Sequence, residues 1–196
     1  MNNRLPSDNT SRSGWDKQHK RTGAIPLAWV FTADRLLRGF LLLAEQAKAD
    51  VPELQKNGFY APNISAVAMM LGALSIENLL KAICIKKLSP PFTDRGKFSL
   101  NTHDLHKLAN LADIEFTKEE NVLLERLTHF ISWSGRYPIP LLSEGMLPRV
   151  YPSGEAYPLN IIKVPADFVE VMDFAKKIRK LIPDSDVPYE EWAGKA

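Results

Sequence analysis

The chain has 196 residues, 45% of them hydrophobic and 24% charged, with a formal net charge of +2 at neutral pH. That length supports one domain with a sizeable core. So slight a charge excludes the broad basic field of a dedicated nucleic-acid-binding domain, though not a local patch. A single cysteine, Cys84, excludes an intramolecular disulfide and fits a reducing cytoplasm, where a thiol in an apolar run packs as a small hydrophobe.

Residues 1–25 read as a disordered tail, because the stretch is rich in Ser, Asn and Arg and has no apolar run able to act as a secretory signal. Pro26 suits the first turn of a helix, and Val30, Ala33, Leu37, Phe40, Leu41 and Ala44 recur at helical spacing up to about Asp50, before Pro52. Asn63 is a candidate N-cap for a central helix over 64–88 that is apolar nearly all round, so it should be the most buried element. Its apolar stretch is interrupted by Glu77, Asn78 and Lys81, too soon to span a bilayer.

After a polar loop, Asn101 or Thr102 caps a short helix carrying Leu105, Leu108 and Leu111. Thr117 and Glu120 have the capping-box spacing, in which each side chain satisfies an otherwise unpaired helix N–H; Leu123, Leu124, Leu127, Phe130 and Ile131 form the apolar stripe that follows. This helix should end near Trp133, before Gly135. Prolines at 138, 140, 148, 152, 158 and 165 rule out a long helix next, and short strands about a turn at 152–154 fit that excursion. The last helix starts near Pro165 with acids early and bases late, which complements its dipole, and stops at Pro183. The expected fold is all-α: a helical bundle of four main helices plus a short one over 26–183, with a Pro-rich irregular or hairpin excursion before the last helix and a tail over 184–196.

Glycine-rich phosphate loops, zinc-type cysteine pairs and the histidine pair of a zinc-protease helix are all missing, so neither a metal nor a cofactor is expected. The remaining signals are polar residues in unexpected places. Glu77 lies in the apolar central helix, where a buried carboxylate needs a partner; Lys81, one turn on, can supply it, or Glu77 can face a site. His103 and His106 flank Asp104, which suits local capping better than metal binding because a third ligand is not evident. Val122, Arg126, His129 and Trp133 share a second face of their helix, fit either to pack on a neighbouring helix or second subunit or to stack and neutralise RNA. Arg136 and Tyr137 follow at a corner where an arginine can bind phosphate or cap the helix carbonyls. The basic group Lys176, Lys177, Arg179 and Lys180 reads as a solvated helix end.

The runs SIENLLKAICIKK, THDLHKLANLADI and LLERLTHFISWSGRYPIP, in that order, resemble the HEPN superfamily of bacterial and archaeal helical domains over roughly residues 27–182. The resemblance rests on Glu77 with Lys81, on His103, Asp104 and Leu105, and on the corner formed by Trp133, Arg136, Tyr137 and Pro138. It implies a homodimer that binds RNA, nucleotide or a cognate protein partner. The alternatives are a metal-independent endoribonuclease of a toxin–antitoxin or antiviral system and a structural interaction scaffold. Active members carry an arginine and a histidine separated by four to six residues, and this chain departs from that pattern. No histidine follows Arg136, Arg126 is only three positions before His129, and the literal match of Arg12 with His19 lies in the N-terminal tail. A catalytic version would therefore draw on Arg136, His103 and Glu77, with Asp104, Arg126, His129, Trp133 and Tyr137 as binding residues.

Overall fold

The structure, a computed structural model, describes residues 9–57, 63–88, 91–150, 156–157, 159 and 161–182. Seven α-helices run through them: α1 (Asn9–Gly23), α2 (Pro26–Ala49), α3 (Val51–Asn57), α4 (Ser65–Lys87), α5 (Leu105–Ala112), α6 (Lys118–His129) and α7 (Ala166–Lys180). A π-helical turn (Phe130–Ser134) prolongs α6, and a two-stranded antiparallel ribbon, β1 (Arg149–Val150) with β2 (Ala156–Tyr157), precedes α7. The all-α bundle and the small hairpin both match the expectation from sequence; the expected turn at 152–154 lies outside the described residues.

α4 is the axis of the bundle, packed by α2, α5, α7 and the π-helical turn. Its residues are buried on every side, which explains why its apolar positions show no single stripe. The helix is long and apolar enough to cross a membrane, yet 78% of its most apolar window is covered by the rest of the fold. Met69, Ile76, Leu79 and Leu80 are fully enclosed, each contributing about 1.5–3 kcal/mol by leaving water. A polar link joins α4 to α2, where the Ser75 hydroxyl donates to the Ala33 carbonyl at 2.9 Å. At Gly72 three helices meet closely: a Cβ there would stand 2.7 Å from Val171 on α7 and 3.1 Å from Phe40 on α2.

Local signals set the helix ends. The N-cap of α4 is Ile64, one position past the expected Asn63, whose Oδ1 accepts from the Ser65 N–H at 2.8 Å; Thr117 and Glu120 make both halves of the capping box. The cap of α5 is Asp104, not Asn101 or Thr102. Its carboxylate accepts from the Lys107 N–H at 3.0 Å, while Thr102 Oγ1 accepts from the Asp104 N–H one step earlier. A carboxylate at this position also complements the helix dipole, which favours it over an amide or hydroxyl. Pro52, expected as a stop, instead sits in the first turn of α3, where its missing N–H costs nothing.

The N-terminal segment departs from the disordered tail that its composition suggests, since α1 is helical from Asn9. Its side chains from Ser13 to Thr22 are exposed, so the helix is held at its C-terminal end. There the Phe92 ring meets the His19 ring edge-on at 5.4 Å, and Trp29 Nε1 donates to the Gly23 carbonyl at 3.0 Å. The expected tails at 1–8 and 184–196 lie outside the described residues.

Arg179 also departs from the expected solvated helix end. It is buried, with Nε 3.6 Å from Asp34 Oδ1 on α2. Burial raises the Asp34 carboxyl above its ordinary range, and Arg179 offsets part of that rise.

Candidate functional site

Glu77 is the buried carboxylate around which the polar residues gather. Lys81, one turn along α4, donates to Oε1 at 2.6 Å, and both side chains are almost wholly buried. The second oxygen, Oε2, lies 2.8 Å from His103 Nδ1. A carboxylate oxygen can only accept here, so Nδ1 carries the proton and the ring is fixed with Nε2 turned outward. The His103 side chain is 58% exposed, and Nε2 makes no hydrogen bond among the described residues. The result is a surface imidazole oriented by a buried acid whose charge the lysine balances.

The position of His103 follows from the backbone around it. Asp104 caps α5, and the Leu105 N–H donates to Thr128 Oγ1 on α6, which holds the start of α5 against that helix. From Thr128 a ridge of polar groups runs along α6: the Ser132 hydroxyl donates to the Thr128 carbonyl at 2.7 Å, and Arg136 Nη2 donates to the Ser132 carbonyl at 3.1 Å and the Ile131 carbonyl at 2.5 Å. The Arg136 guanidinium also lies 5.5 Å from the Tyr137 ring. Arg136 thus closes the helix end, as an arginine can, while Nε and Nη1 make no hydrogen bond among the described residues.

Arg136 does not join Glu77 and His103 in one cluster. Gly135 sits against Met70, where an added Cβ would be 2.5 Å from the Met70 Cβ. Met70 and Glu77 lie two turns apart on one face of α4, roughly 10 Å along the axis. Two of the three expected catalytic residues therefore meet, and the third stands farther along the same side of the bundle.

The second face of α6 turns out to be an internal packing face. Arg126 is buried in a two-pronged pair with Asp167, at 3.1 Å and 2.6 Å, and also donates to the Ile161 carbonyl. His129 and Trp133 meet edge to face at 4.7 Å, with His129 Nε2 and Trp133 Nε1 both buried. Burial, with the positive charge of Arg149 nearby, pushes the His129 pKa down. Arg126, His129 and Trp133 hold the excursion and the start of α7 instead of presenting a surface to RNA. Asp104, as the cap of α5, is likewise occupied structurally.

Family models, curated proteins and solved structures gave no match. The chemistry must therefore be read from the residues themselves. Among the described residues no group of three or more His, Cys, Asp and Glu could hold a metal ion.

Sequence reasoning missed a groove beside this cluster. Trp29 lies under Lys81, whose Nζ is 5.7 Å from the ring centre, and stacks on Phe98 at 4.9 Å. Phe98 is tilted against Phe92 at 5.5 Å, and Phe92 meets His19. These rings, with Thr22, Thr32 and Asn78, line an open groove of about 360 Å³. The only sequence signal was the aromatic content of two segments some sixty positions apart; the isolated bridge between Phe92 and Phe98 brings the second segment into shape.

Proposed function

We propose that this protein is a HEPN-like RNA-binding domain that uses Arg136 and His103 to hold the phosphodiester backbone, with no need of cleavage. The observation that carries the reading is the geometry of Arg136. Nη2 is fixed on two carbonyls at the end of the π-helical turn, which leaves Nε and Nη1 to meet a phosphate from an exposed corner. Tyr137 beside it is 57% exposed and offers a ring to an unpaired base. His103 adds a second oriented donor or acceptor along the same ridge.

A second reading, a metal-independent endoribonuclease, has one observation in its favour. An imidazole held by a buried carboxylate is the arrangement that prepares a general base, here for a ribose 2′-OH. Against it, Arg136, the guanidinium that would stabilise the developing charge, stands apart from Glu77 and His103, about two helical turns farther along α4.

We further propose a homodimer, or a complex with a cognate partner protein, in the cytoplasm. The support is the excursion after α6, where Ile139, Leu141, Leu142, Met146, Leu147 and Val150 are all largely exposed, more apolar surface than a free segment of this length usually shows water.

Fluorescence anisotropy with labelled single-stranded RNA tests the main reading. Wild type should bind, and Arg136→Ala should weaken binding by about tenfold, the effect of losing a charged hydrogen bond worth about 1.5 kcal/mol. Wild type that fails to bind, or an Arg136→Ala protein that binds equally well, would sink it. Cleavage of the same RNA in excess EDTA, abolished by His103→Ala, would instead establish the ribonuclease.

A further inference from the structure

We infer that the aromatic groove between α1, the start of α2 and the loop over 91–98 is a binding site for an adenine nucleotide. The inference shares with the reading above the premise that the protein meets nucleotides, but it uses none of Glu77, His103 or Arg136.

The walls suit a flat, apolar ring. His19, Phe92, Phe98 and Trp29 follow one another at ring separations of about 5 Å, and the groove volume of about 360 Å³ lies at the small end of the range for small-molecule sites, about 300–1,000 Å³. Two of the polar side chains along these walls are already used. Trp29 Nε1 is spent on the Gly23 carbonyl, and the Thr32 hydroxyl donates to the Ala28 carbonyl.

Asn78, like the His19 ring nitrogens and the Thr22 hydroxyl, keeps hydrogen-bonding capacity, and of the three it is the buried one. It is buried, only 9% exposed, and it lines the groove. One N–H of its amide is held by the Leu74 carbonyl at 2.7 Å, which fixes the plane of the group. Its Oδ1 accepts no hydrogen bond among the described residues, and its second N–H is also unspent. A fixed acceptor beside a fixed donor is the complement of adenine, which presents its exocyclic amine next to a ring nitrogen. We seat adenine by its Hoogsteen edge, where guanine presents two acceptors and leaves Oδ1 facing an oxygen; guanine's other edge, with N1–H beside O6, would satisfy the same amide, which is why equal binding of GMP counts against the site.

Charge selects a nucleotide over a bare base. Thr22 is shared between the groove and an adjoining concavity of about 410 Å³ lined by Lys17, Gln18 and Arg21. Lys17, Lys20 and Arg21 lie within five consecutive positions of α1, all exposed, and make no ion pair among the described residues. A base seated against Asn78 would place its phosphate toward these cations.

Isothermal titration calorimetry on the full chain decides the matter, with AMP, adenosine, GMP, oligo(A) and oligo(U) as probes. The expected result is binding of AMP, with GMP weaker by about tenfold or more, the discrimination of one bidentate amide contact. Asn78→Leu and Phe92→Ala should each weaken AMP by a similar factor, whereas Lys17→Ala combined with Arg21→Ala should weaken AMP and leave adenosine unchanged. Tighter binding of oligo(A) than of AMP identifies the source as a base within RNA; equal or weaker binding identifies a free nucleotide. The site is overturned if neither AMP nor oligo(A) binds, if GMP binds as well as AMP, or if both groove variants melt like wild type and keep full affinity. Loss of RNA binding in Arg136→Ala with AMP binding intact separates the two sites, so either proposal can fail alone.

Discussion

Arg126 and Asp167, 41 positions apart, form a two-pronged ion pair inside the bundle that fastens α6 to the first turn of α7. Asp167 Oδ2 also accepts from the Lys163 N–H at 2.7 Å, so one carboxylate organises the entry to the last helix. Burying such a pair is expensive, and its removal from one side leaves an uncompensated charge in the core. Arg126→Ala or Asp167→Ala should therefore destabilise the protein by about 3–5 kcal/mol in urea denaturation. Arg126→Met combined with Asp167→Leu should recover most of that loss. A single variant costing well under 1 kcal/mol would show that solvent reaches the pair.

The clamp of Glu77 on His103 makes a spectroscopic prediction. Nitrogen NMR of the neutral imidazole should find the proton on Nδ1, the less common tautomer, in the native protein. Glu77→Gln should shift population toward the Nε2–H form, because an amide no longer demands a donor from the ring. An unchanged tautomer ratio in that variant would remove the carboxylate from its orienting role. Glu77→Leu should cost about 3–5 kcal/mol by stranding Lys81, and adding Lys81→Met should restore much of it.

His129 sets a pH dependence of known sign. Its pKa is lowered in the native state by burial and then by Arg149, so the unfolded chain takes up its proton first as pH falls. Stability should hold above the ordinary histidine range and decline as pH drops below about 6.5. Subtracting the stability curve of His129→Phe from that of wild type isolates this group. A flat difference curve would mean that the imidazole is solvated in the native state.

Cys84 should be chemically silent. Burial pushes its thiol up to about 11, and Sγ lies 3.4 Å from the Leu108 carbonyl. An aromatic disulfide reagent at pH 8 should leave the native protein unlabelled and react fully once denaturant is added. Fast labelling of the native state would contradict the packing of α5 on α4.

The elements that carry their own signals were legible in the sequence. Pro26 with the spacing of Val30, Ala33 and Leu37 predicted α2, and Thr117 with Glu120 predicted the start of α6; these signals act over a few residues. α1 was not legible because its side chains from Ser13 to Thr22 face water, and the contacts that hold it come from Phe92 and Trp29, residues with no local relation to it. Glu77 and His103 were each singled out, but that they meet depends on the path of the loop between α4 and α5. Arg179 shows the same limit in reverse. Charge order placed it in water with its lysine neighbours, and helical phase turned it inward toward Asp34.

At Gly72 three helices converge so closely that a methyl group has nowhere to go, with Val171 and Phe40 both inside contact distance of an added Cβ. That crossing is a constraint on descent as well as on packing. Any chain that inherits this arrangement of α2, α4 and α7 must keep glycine at this place or trim both neighbours together. Glycine five positions before the glutamate and nine before the lysine of the central helix, with Val or smaller opposite, is thus a fingerprint by which distant kin could be told from chains that share only the short polar motifs.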